Sequence, residues 1–236
     1  MKAEKAVLLL SGGLDSTTAL YHLRAIQTEV FPLLIHYGQR HSKELAAARR
    51  ICTRLNLKPM LVDLRAIQPL ISTSSQTNEA IEVPEGHYTE ESMKLTVVPN
   101  RNMVMLSLAI SWAVSLKADR VVYAAHAGDH TIYPDCRPEF IQTMNQAAQL
   151  CDWHSVELFS PFENWTKSDI VRRGLELRVP YEETWSCYKG LALHCGKCGT
   201  CVERKEAFAL LNVVDPTVYA DEIEEEGTAN HHVMAT

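Results

Sequence analysis

The fold class that the sequence predicts is α/β, a doubly wound sheet of five parallel strands. Five apolar runs alternate with segments in which apolar residues recur at helical spacing, and this order requires parallel strands joined by right-handed crossovers. A glycine-rich turn follows the first run directly. A cluster of four cysteines near the carboxyl end adds a small zinc-binding segment to the predicted sheet.

The first half of the chain supplies three strands and two helices. Residues 7–10 predict a strand that is buried on both faces, and residues 16–26 predict the helix that follows it. Residues 30–36 predict a second strand, residues 42–55 an amphipathic helix and residues 60–64 a third strand.

Residues 65–99 interrupt this alternation. The stretch at residues 72–78 is polar and rich in turn-forming residues, and prolines stand at positions 69, 84 and 99. A loop of this length in a compact domain is functional or disordered. We expect it to cross the carboxyl edge of the sheet.

The second half returns to the alternation. It predicts a buried helix, a strand, a helix, a strand and two further helices, at residues 103–117, 120–125, 138–150, 155–159, 166–177 and 200–211. Thr166 and Asp169 have the spacing of a capping box. We therefore divide the chain into an α/β domain at residues 1–180, a zinc-binding segment at 181–220 and a frayed tail at 221–236.

Composition restricts the class of protein. The chain has 236 residues, with 23 basic and 29 acidic side chains and a net charge of −6. This acidic balance argues against nucleic acid as a partner, because phosphate backbones favour basic surfaces. No apolar run has the length of a membrane span or of a signal peptide, so we expect no membrane partner and a cytoplasmic location.

The turn after the first strand predicts a phosphate-binding loop. Gly12 and Gly13 let the backbone approach a ligand closely, since glycine has no Cβ. Asp15 or Ser16 can cap the following helix, whose unpaired N–H groups and dipole attract an anion. The lysine of the G-x-x-x-x-G-K-[ST] loop is missing here.

The cysteines near the carboxyl end are spaced Cys187-x7-Cys195-x2-Cys198-x2-Cys201. Thiolates at this spacing can surround a tetrahedral ion, and four thiolates leave no open position, which predicts a structural zinc site. Free thiols and an iron–sulfur cluster are the alternatives. We do not expect His194 to be a ligand if all four sulfurs bind.

Two further groups of polar residues fall at strand or helix ends. The loop at residues 126–137 follows the fourth strand and therefore lies on the same edge of the sheet as the glycine-rich turn. Its Asp135 and Arg137 can pair with each other, or face a heterocycle with amide donors and a carboxylate. Arg101 begins a helix, where it is either a surface residue or a clamp for an anion.

These motifs carry a resemblance to known enzymes. The hexapeptide Ser-Gly-Gly-Leu-Asp-Ser at residues 11–16 resembles the PP-loop of the ATP-pyrophosphatase superfamily, whose fold is adenine nucleotide alpha hydrolase-like, or Rossmann-like. With Tyr-Gly-Gln-Arg-His at 37–41, Val-Pro-Asn-Arg-Asn at 98–102, Tyr-Pro-Asp-Cys-Arg at 133–137 and the four cysteines, the chain resembles the 7-cyano-7-deazaguanine (preQ0) synthase family of queuosine biosynthesis. The resemblance extends from Lys5 to about Ala220.

The resemblance implies an AMP-forming carbon–nitrogen ligase. Such an enzyme converts 7-carboxy-7-deazaguanine and ammonia into a nitrile, with ATP. The carboxylate is adenylated, ammonia displaces AMP to give an amide, and a second adenylation followed by loss of AMP gives the nitrile. The resemblance also implies Mg²⁺ with ATP, one structural zinc per chain and a homodimer.

The resemblance further implies which residues form the site. Lys167 and Arg101 are the expected catalytic residues, because they can stabilise charge on the α-phosphate. The expected substrate-binding residues are Tyr133, Asp135 and Arg137. The expected ATP-binding residues are Leu10, Ser11, Gly12, Gly13, Leu14, Asp15, Ser16, Thr17, Thr18, Ala19, Leu20, Ile35 and Tyr37.

Two other functions remain open from the sequence. Another PP-loop AMP-forming enzyme, such as a tRNA sulfur-transfer enzyme, would need a catalytic thiol pair, for which Cys136 and Cys151 are the candidates. A protein that is not an enzyme, such as a nucleotide-sensing or zinc-ribbon interaction module, would bind ATP without releasing pyrophosphate.

Overall fold

The computed structural model describes residues 3–40, 42–87, 90–129 and 133–223, and in these ranges five parallel strands form one sheet. The strand order is β3-β2-β1-β4-β5. Ala6 of β1 pairs with Val30 on one side and Arg120 on the other. The strands are β1 (Lys5–Leu9), β2 (Glu29–His36), β3 (Met60–Asp63), β4 (Arg120–Val122) and β5 (Glu157–Phe159). The predicted five-stranded parallel sheet is confirmed.

Helices cover both faces of this sheet. They are α1 (Leu14–Ala25), α2 (Lys43–Arg54), α3 (Glu90–Thr96), α4 (Arg101–Leu116), α5 (Pro138–Leu150), α6 (Lys167–Glu176) and α7 (Gly199–Ala209). Leu8 of β1 belongs to a core with α1, α2, α6 and α7, whereas Val7 belongs to a core with α4 and α5. Successive side chains of a strand point to opposite faces, so one buried strand serves both cores. The sheet is therefore doubly wound, as predicted.

The start of α1 differs from the prediction. The helix begins at Leu14 rather than Ser16, and its N-cap is Gly13, without a side-chain cap. The prediction that Asp15 or Ser16 caps this helix is wrong, because both lie inside its first turn. The capping box of α6 is confirmed, since Thr166 Oγ1 accepts a hydrogen bond from the Asp169 amide at 3.2 Å and Asp169 Oδ2 accepts one from the Thr166 amide at 3.1 Å.

The polar stretch that interrupts the alternation turns inward. Ser74, Ser75, Gln76 and Thr77 are buried. The Gln76 side-chain amide donates to the Thr96 carbonyl oxygen at 3.1 Å, and the Ser75 amide donates to the Leu95 carbonyl oxygen at 2.8 Å. The segment is therefore held by α3, a short helix that was not predicted, and by a 3₁₀ turn at Arg65–Leu70, whose Gln68 side chain donates to the Thr77 carbonyl oxygen at 3.1 Å.

A buried ion pair fixes the end of the described chain to α7. Arg204 is 1% exposed, and its guanidinium donates to both oxygens of Asp215, at 2.9 and 3.1 Å. It also donates to Thr184 Oγ1 at 2.7 Å and to the Tyr181 carbonyl oxygen at 3.0 Å. A bidentate pair with further partners satisfies the buried charge.

Most of the predicted tail, residues 224–236, lies outside the described residues. In the described ranges, no helix combines the length and the apolar character needed to cross a membrane.

We expect Asp215→Ala to lower the free energy of unfolding by about 3–5 kcal/mol, because it leaves the buried Arg204 guanidinium without its carboxylate. Urea unfolding of the purified chain measures this change. Asp63→Ala is the matched control, because its ion pair with Arg65 is 46% and 63% exposed, and exposed pairs contribute little. Equal effects of the two variants would contradict the role of Arg204.

Candidate active site

Two adjoining cavities lie at the carboxyl edge of the sheet, where the strand order reverses between β1 and β4. The first has a volume of about 240 Å³ and the second about 140 Å³. Both are lined by Ser11, Gly13, Asp15, Glu44, Asp129, Tyr133 and Tyr188. Ligands of open parallel sheets bind at this position. We therefore treat the two cavities as one candidate active site.

The glycine-rich turn forms one wall of this site. The Ser16 hydroxyl lies 2.9 Å from the Ser11 hydroxyl and accepts hydrogen bonds from the amides of Ser11 and Gly12, at 3.2 and 3.3 Å. The Gly13 amide donates to Ser11 Oγ at 3.1 Å. Three consecutive amides and two hydroxyls therefore converge at the N-terminus of α1, which is a suitable arrangement for binding phosphate oxygens.

An ion pair joins the turn to α6. Lys167 Nζ lies 2.8 Å from Asp15 Oδ2, and Lys167 lines the second cavity. Burial acts to raise the pKa of Asp15, but the positive charges of Lys167, His126 and Arg204 together outweigh it and the pKa is lowered. Burial likewise acts to lower the pKa of Lys167, but Asp15, Glu203 and Asp129 raise it. Both groups are therefore charged at neutral pH.

Arg101 lies at the first cavity, in the first turn of α4. Burial acts to lower its pKa, but Tyr37, Tyr188 and Tyr133 raise it, together with Asp135. A permanent cation at a helix N-terminus is unfavourable without an anion. The position of Arg101 therefore favours a role as a clamp for an anion over that of an ordinary surface residue.

Of the three predicted heterocycle-binding residues, one lines the cavities and two do not. Tyr133 is buried and lines both cavities. Asp135 does not line either cavity; its Oδ2 accepts a hydrogen bond from the amide of Asn102, which lines the first cavity, at 3.1 Å. Arg137 is exposed at the N-cap of α5 and does not line either cavity. Gln76, Asn102 and Tyr123 also line the first cavity, and no role was predicted for them.

The predicted ATP-binding residues also divide into two groups. Leu10, Ser11, Gly13, Asp15, Ser16, Ile35 and Tyr37 line the first cavity, and Leu14 lines the second. Gly12 lies within the turn. Thr17, Thr18, Ala19 and Leu20 are buried in α1, where Thr18 Oγ1 donates to the Leu14 carbonyl oxygen at 2.8 Å. We do not include these four in the proposed ATP site.

Glu44 is a site residue that the sequence analysis missed. It lies in the first turn of α2 and lines both cavities. Burial raises its pKa to about 7, although Arg101 acts in the opposite direction. Perturbed carboxyl groups in clefts are typical of functional sites. No local motif marks Glu44, because only the packing of α2 against the glycine-rich turn brings it here.

The four predicted cysteine ligands lie together and are buried. The sulfurs of Cys187, Cys195, Cys198 and Cys201 are all within 4.8 Å of one another. Backbone amides of residues 195, 197 and 198 donate to two of these sulfurs, at 3.2–3.4 Å. Closely spaced thiols that accept amide hydrogen bonds suit thiolate coordination, so the cluster fits a bound metal ion. His194 Nε2 instead accepts from the Ser186 amide at 3.0 Å.

The cysteine segment forms another wall of the site. The Trp185 amide donates to the Gly12 carbonyl oxygen at 3.0 Å. Lys43 Nζ lies 4.4 Å from the centre of the Trp185 ring. Tyr188, next to Cys187, lines both cavities. The cysteine cluster therefore holds residues of the site in place.

Comparison with known proteins shows the family of this chain. The family model "Queuosine biosynthesis protein QueC" matches residues 5–212. The chain belongs to this family. It is 54% identical to a 7-cyano-7-deazaguanine synthase of Hahella chejuensis over 215 residues, which are 91% of this chain and 93% of the relative. It is 52% identical to one of Methanoregula boonei, with coverage of 91% and 99%.

Solved structures of other enzymes share the fold of this QueC-family chain. An NMN synthetase of Francisella tularensis superposes with a TM-score of 0.52 at 16% identity, over 94% of this chain and 82% of that chain. A 4-thiouridine synthetase in complex with RNA and bound ATP superposes with a TM-score of 0.52 at 15% identity, over 94% of this chain and 49% of that chain. These similarities establish the fold.

We expect Glu44→Gln to stabilise the protein at high pH. The folded-state pKa of about 7 exceeds the ordinary value of 4.5, so the folded protein binds the proton more tightly than the unfolded chain. Stability is therefore lost as the pH rises from about 4.5 to 7. The variant should raise the free energy of unfolding by about 2 kcal/mol at about pH 8 and by little at about pH 4.

Urea unfolding of both proteins at the two pH values measures this difference. Glu182→Gln is the control, because Glu182 is exposed. A gain that is the same at both pH values would contradict the raised pKa.

Proposed function

We propose that this chain converts 7-carboxy-7-deazaguanine, ammonia and ATP into 7-cyano-7-deazaguanine, AMP and pyrophosphate, within queuosine biosynthesis. Membership in the QueC family, with relatives that are about half identical over more than nine-tenths of the chain, carries the proposal. The site agrees with it, because a phosphate-binding turn and a polar cavity adjoin at one edge of the sheet.

In the proposed complex, the β- and γ-phosphates of ATP bind Ser11, Gly12, Gly13 and Ser16. Their amides and hydroxyls converge beside the second cavity. Leu10, Ile35 and Tyr37 line the first cavity and would flank the adenine. The aromatic and apolar surfaces of these side chains suit a planar base.

Lys167 and Arg101 are the proposed catalytic residues. Both are cations beside the turn, Lys167 at the second cavity and Arg101 at the first. Negative charge builds on the α-phosphate as the substrate oxygen attacks and pyrophosphate leaves. Cations that are fixed in place stabilise that charge without reorganisation.

The side chain of Asp15 fits a magnesium ion. Its Oδ1 is buried and has no hydrogen-bond partner in the described structure, while Asp129 lines the same cavities. Carboxylate and phosphate oxygens are the ligands that Mg²⁺ prefers. Mg²⁺ bound with ATP would offset the charge of the leaving pyrophosphate.

The heterocycle is proposed to bind on the side of Tyr133. Tyr133 and the side chains of Gln76, Asn102 and Tyr123 offer hydrogen-bonding groups in the first cavity. Asp135 acts from behind this wall, through the Asn102 amide. Arg137 lines neither cavity. It is proposed to bind substrate in a conformation that brings its side chain to the cavity.

The reaction is proposed to use one site twice. The substrate carboxylate attacks the α-phosphate and pyrophosphate leaves, which gives an acyl adenylate. Ammonia forms the C–N bond, and the C–O bond to AMP breaks. The amide oxygen then attacks a second ATP, and loss of AMP leaves the nitrile. The substrate oxygen is the nucleophile, so no nucleophilic side chain is required.

The sulfur-transfer alternative is not supported by the cysteines. Burial raises the pKa of Cys136, so its thiol stays protonated and is a poor nucleophile. Cys151 lies at the far end of α5 from Cys136, and the 13 residues of this helix span about 20 Å, so the two thiols do not form a pair.

We also propose the remaining features of the protein. Residues 181–220 are a zinc-binding segment that packs on the α/β domain at residues 1–180, and the metal is a structural zinc. The enzyme is a cytoplasmic homodimer that acts on small molecules and does not bind nucleic acid.

Incubation of the chain with ATP and an ammonium salt should release pyrophosphate and AMP only when 7-carboxy-7-deazaguanine is present. Mass spectrometry should detect the nitrile, since each adenylation expels pyrophosphate. Release of ADP, or of pyrophosphate without the deazaguanine, would contradict the proposed reaction. In the same assay, Lys167→Met should lower turnover by about 10²–10³-fold, whereas Lys58→Met on the exposed surface should not.

Metal analysis of the purified chain should find about one zinc per chain. Cys198→Ser should lose the metal and lower the melting temperature, because metal binding contributes to folding. Cys151→Ser is the control, since Cys151 is exposed and lies outside the cluster. A coloured protein that contains iron would show that the cluster is an iron–sulfur site.

A further inference from the structure

Glu44 occupies a central position that the phosphate-binding and heterocycle-binding residues leave unexplained. It lines both cavities, next to Arg101 and facing Tyr37. In the described structure, no side chain donates a hydrogen bond to its carboxylate. A carboxyl group in a cleft that no protein donor satisfies is available to a ligand.

The proposed reaction needs a proton acceptor at its nitrogen. Ammonia is mostly ammonium at neutral pH, and ammonium has no lone pair with which to attack the acyl carbon. Nitrile formation also requires that the nitrogen of the adenylated amide lose both of its protons. A base beside the reacting carbon therefore serves both halves of the reaction.

The other titratable groups of the cavities are poorly suited to this role. Asp15 is held by Lys167 and its pKa is lowered. Lys167 and Arg101 stay protonated, and burial raises the pKa values of Tyr37, Tyr133 and Cys136. Asp129 accepts from the His126 amide at 3.1 Å, and Glu203 lines only the second cavity, with Lys167.

We propose that Glu44 is the proton acceptor for the nitrogen nucleophile in both steps. This inference rests on the proposed function. In the first step the Glu44 carboxylate takes one proton from ammonium, and the nitrogen lone pair forms the C–N bond. The C–O bond to AMP then breaks, and AMP leaves with its electron pair and a second nitrogen proton, which leaves a neutral amide.

In the second step the amide oxygen has displaced pyrophosphate from a second ATP, so the carbon carries AMP and a protonated C=N group. Glu44, which has returned its first proton to water, takes one of the two N–H protons. The C–O bond breaks, AMP leaves with the other proton, and the nitrogen electrons form the nitrile. A pKa of about 7 suits a group that must accept and release protons near neutral pH.

The test compares Glu44→Gln with the wild-type enzyme in two assays. The first is carboxylate-dependent exchange of pyrophosphate into ATP, which needs no nitrogen nucleophile and should change little. The second is amide and nitrile formation from ammonium, which should fall by about 10²–10³-fold at about pH 7. Glu182→Gln, on the exposed surface, should match the wild type in both assays.

An assay with hydroxylamine in place of ammonium tests whether Glu44 acts as a base or has only a structural role. Hydroxylamine is largely unprotonated at neutral pH, so it attacks the acyl adenylate without first losing a proton. Glu44→Gln should therefore form the hydroxamate within about tenfold of the wild-type rate. The deficit with ammonium should also shrink as the pH rises and free ammonia increases. The charged and titratable groups that line the two cavities with Glu44 are Asp15, Tyr37, Arg101, Tyr123, Asp129, Tyr133, Cys136, Lys167, Tyr188, Glu203 and Arg204.

Each outcome decides the inference. An equal loss in exchange, with hydroxylamine and with ammonium would overturn it, because Glu44 would then act on binding or folding. Wild-type rates with ammonium would overturn it as well. If the wild-type enzyme forms no nitrile, the proposed function itself fails, and this result does not depend on any variant.

Discussion

The packing of Gly12 against α2 is the constraint on which the site depends. Gly12 has a φ of +90°, and a Cβ there would lie 2.3 Å from the Glu44 carbonyl oxygen and 2.5 Å from the Ala48 amide. Only glycine allows this approach. Because α2 touches the turn, Glu44 enters the cavities, and the Gly12 carbonyl oxygen remains free to accept the hydrogen bond from Trp185. Turn, helix and cysteine segment therefore meet at one residue.

The sheet and the turn could be predicted from sequence for a local physical reason. Strands that are buried on both faces give continuous apolar runs, and the glycines of residues 11–16 stand directly at the end of one. The capping box at Thr166 and the four cysteines also depend on short sequence spacings. The rule that parallel strands present their carboxyl ends on one edge then placed the loop after the fourth strand on the same edge as the glycine-rich turn.

The residues that the sequence did not reveal depend on contacts between distant segments. Glu44 reaches the site through the packing of α2, and Gln76 through a polar segment whose buried groups bond to α3. Arg204 and Asp215 form a buried pair that resembles ordinary surface charges in the sequence. The motif at residues 133–137 was recognised in the sequence, but its residues do not all line the cavity. Tyr133 is buried, whereas Arg137 is exposed.

The proposed chemistry also explains why an acid and a cation lie side by side in the first cavity. The reacting group changes from a carboxylate to a neutral amide and then to a neutral nitrile, so Arg101 cannot depend on it for a counter-charge throughout. Arg101 opposes the rise in the pKa of Glu44, which means that ionised Glu44 and Arg101 stabilise each other. Arg101 therefore stabilises the Glu44 carboxylate before it accepts a proton from the nitrogen, and Glu44 is neutral while it holds that proton.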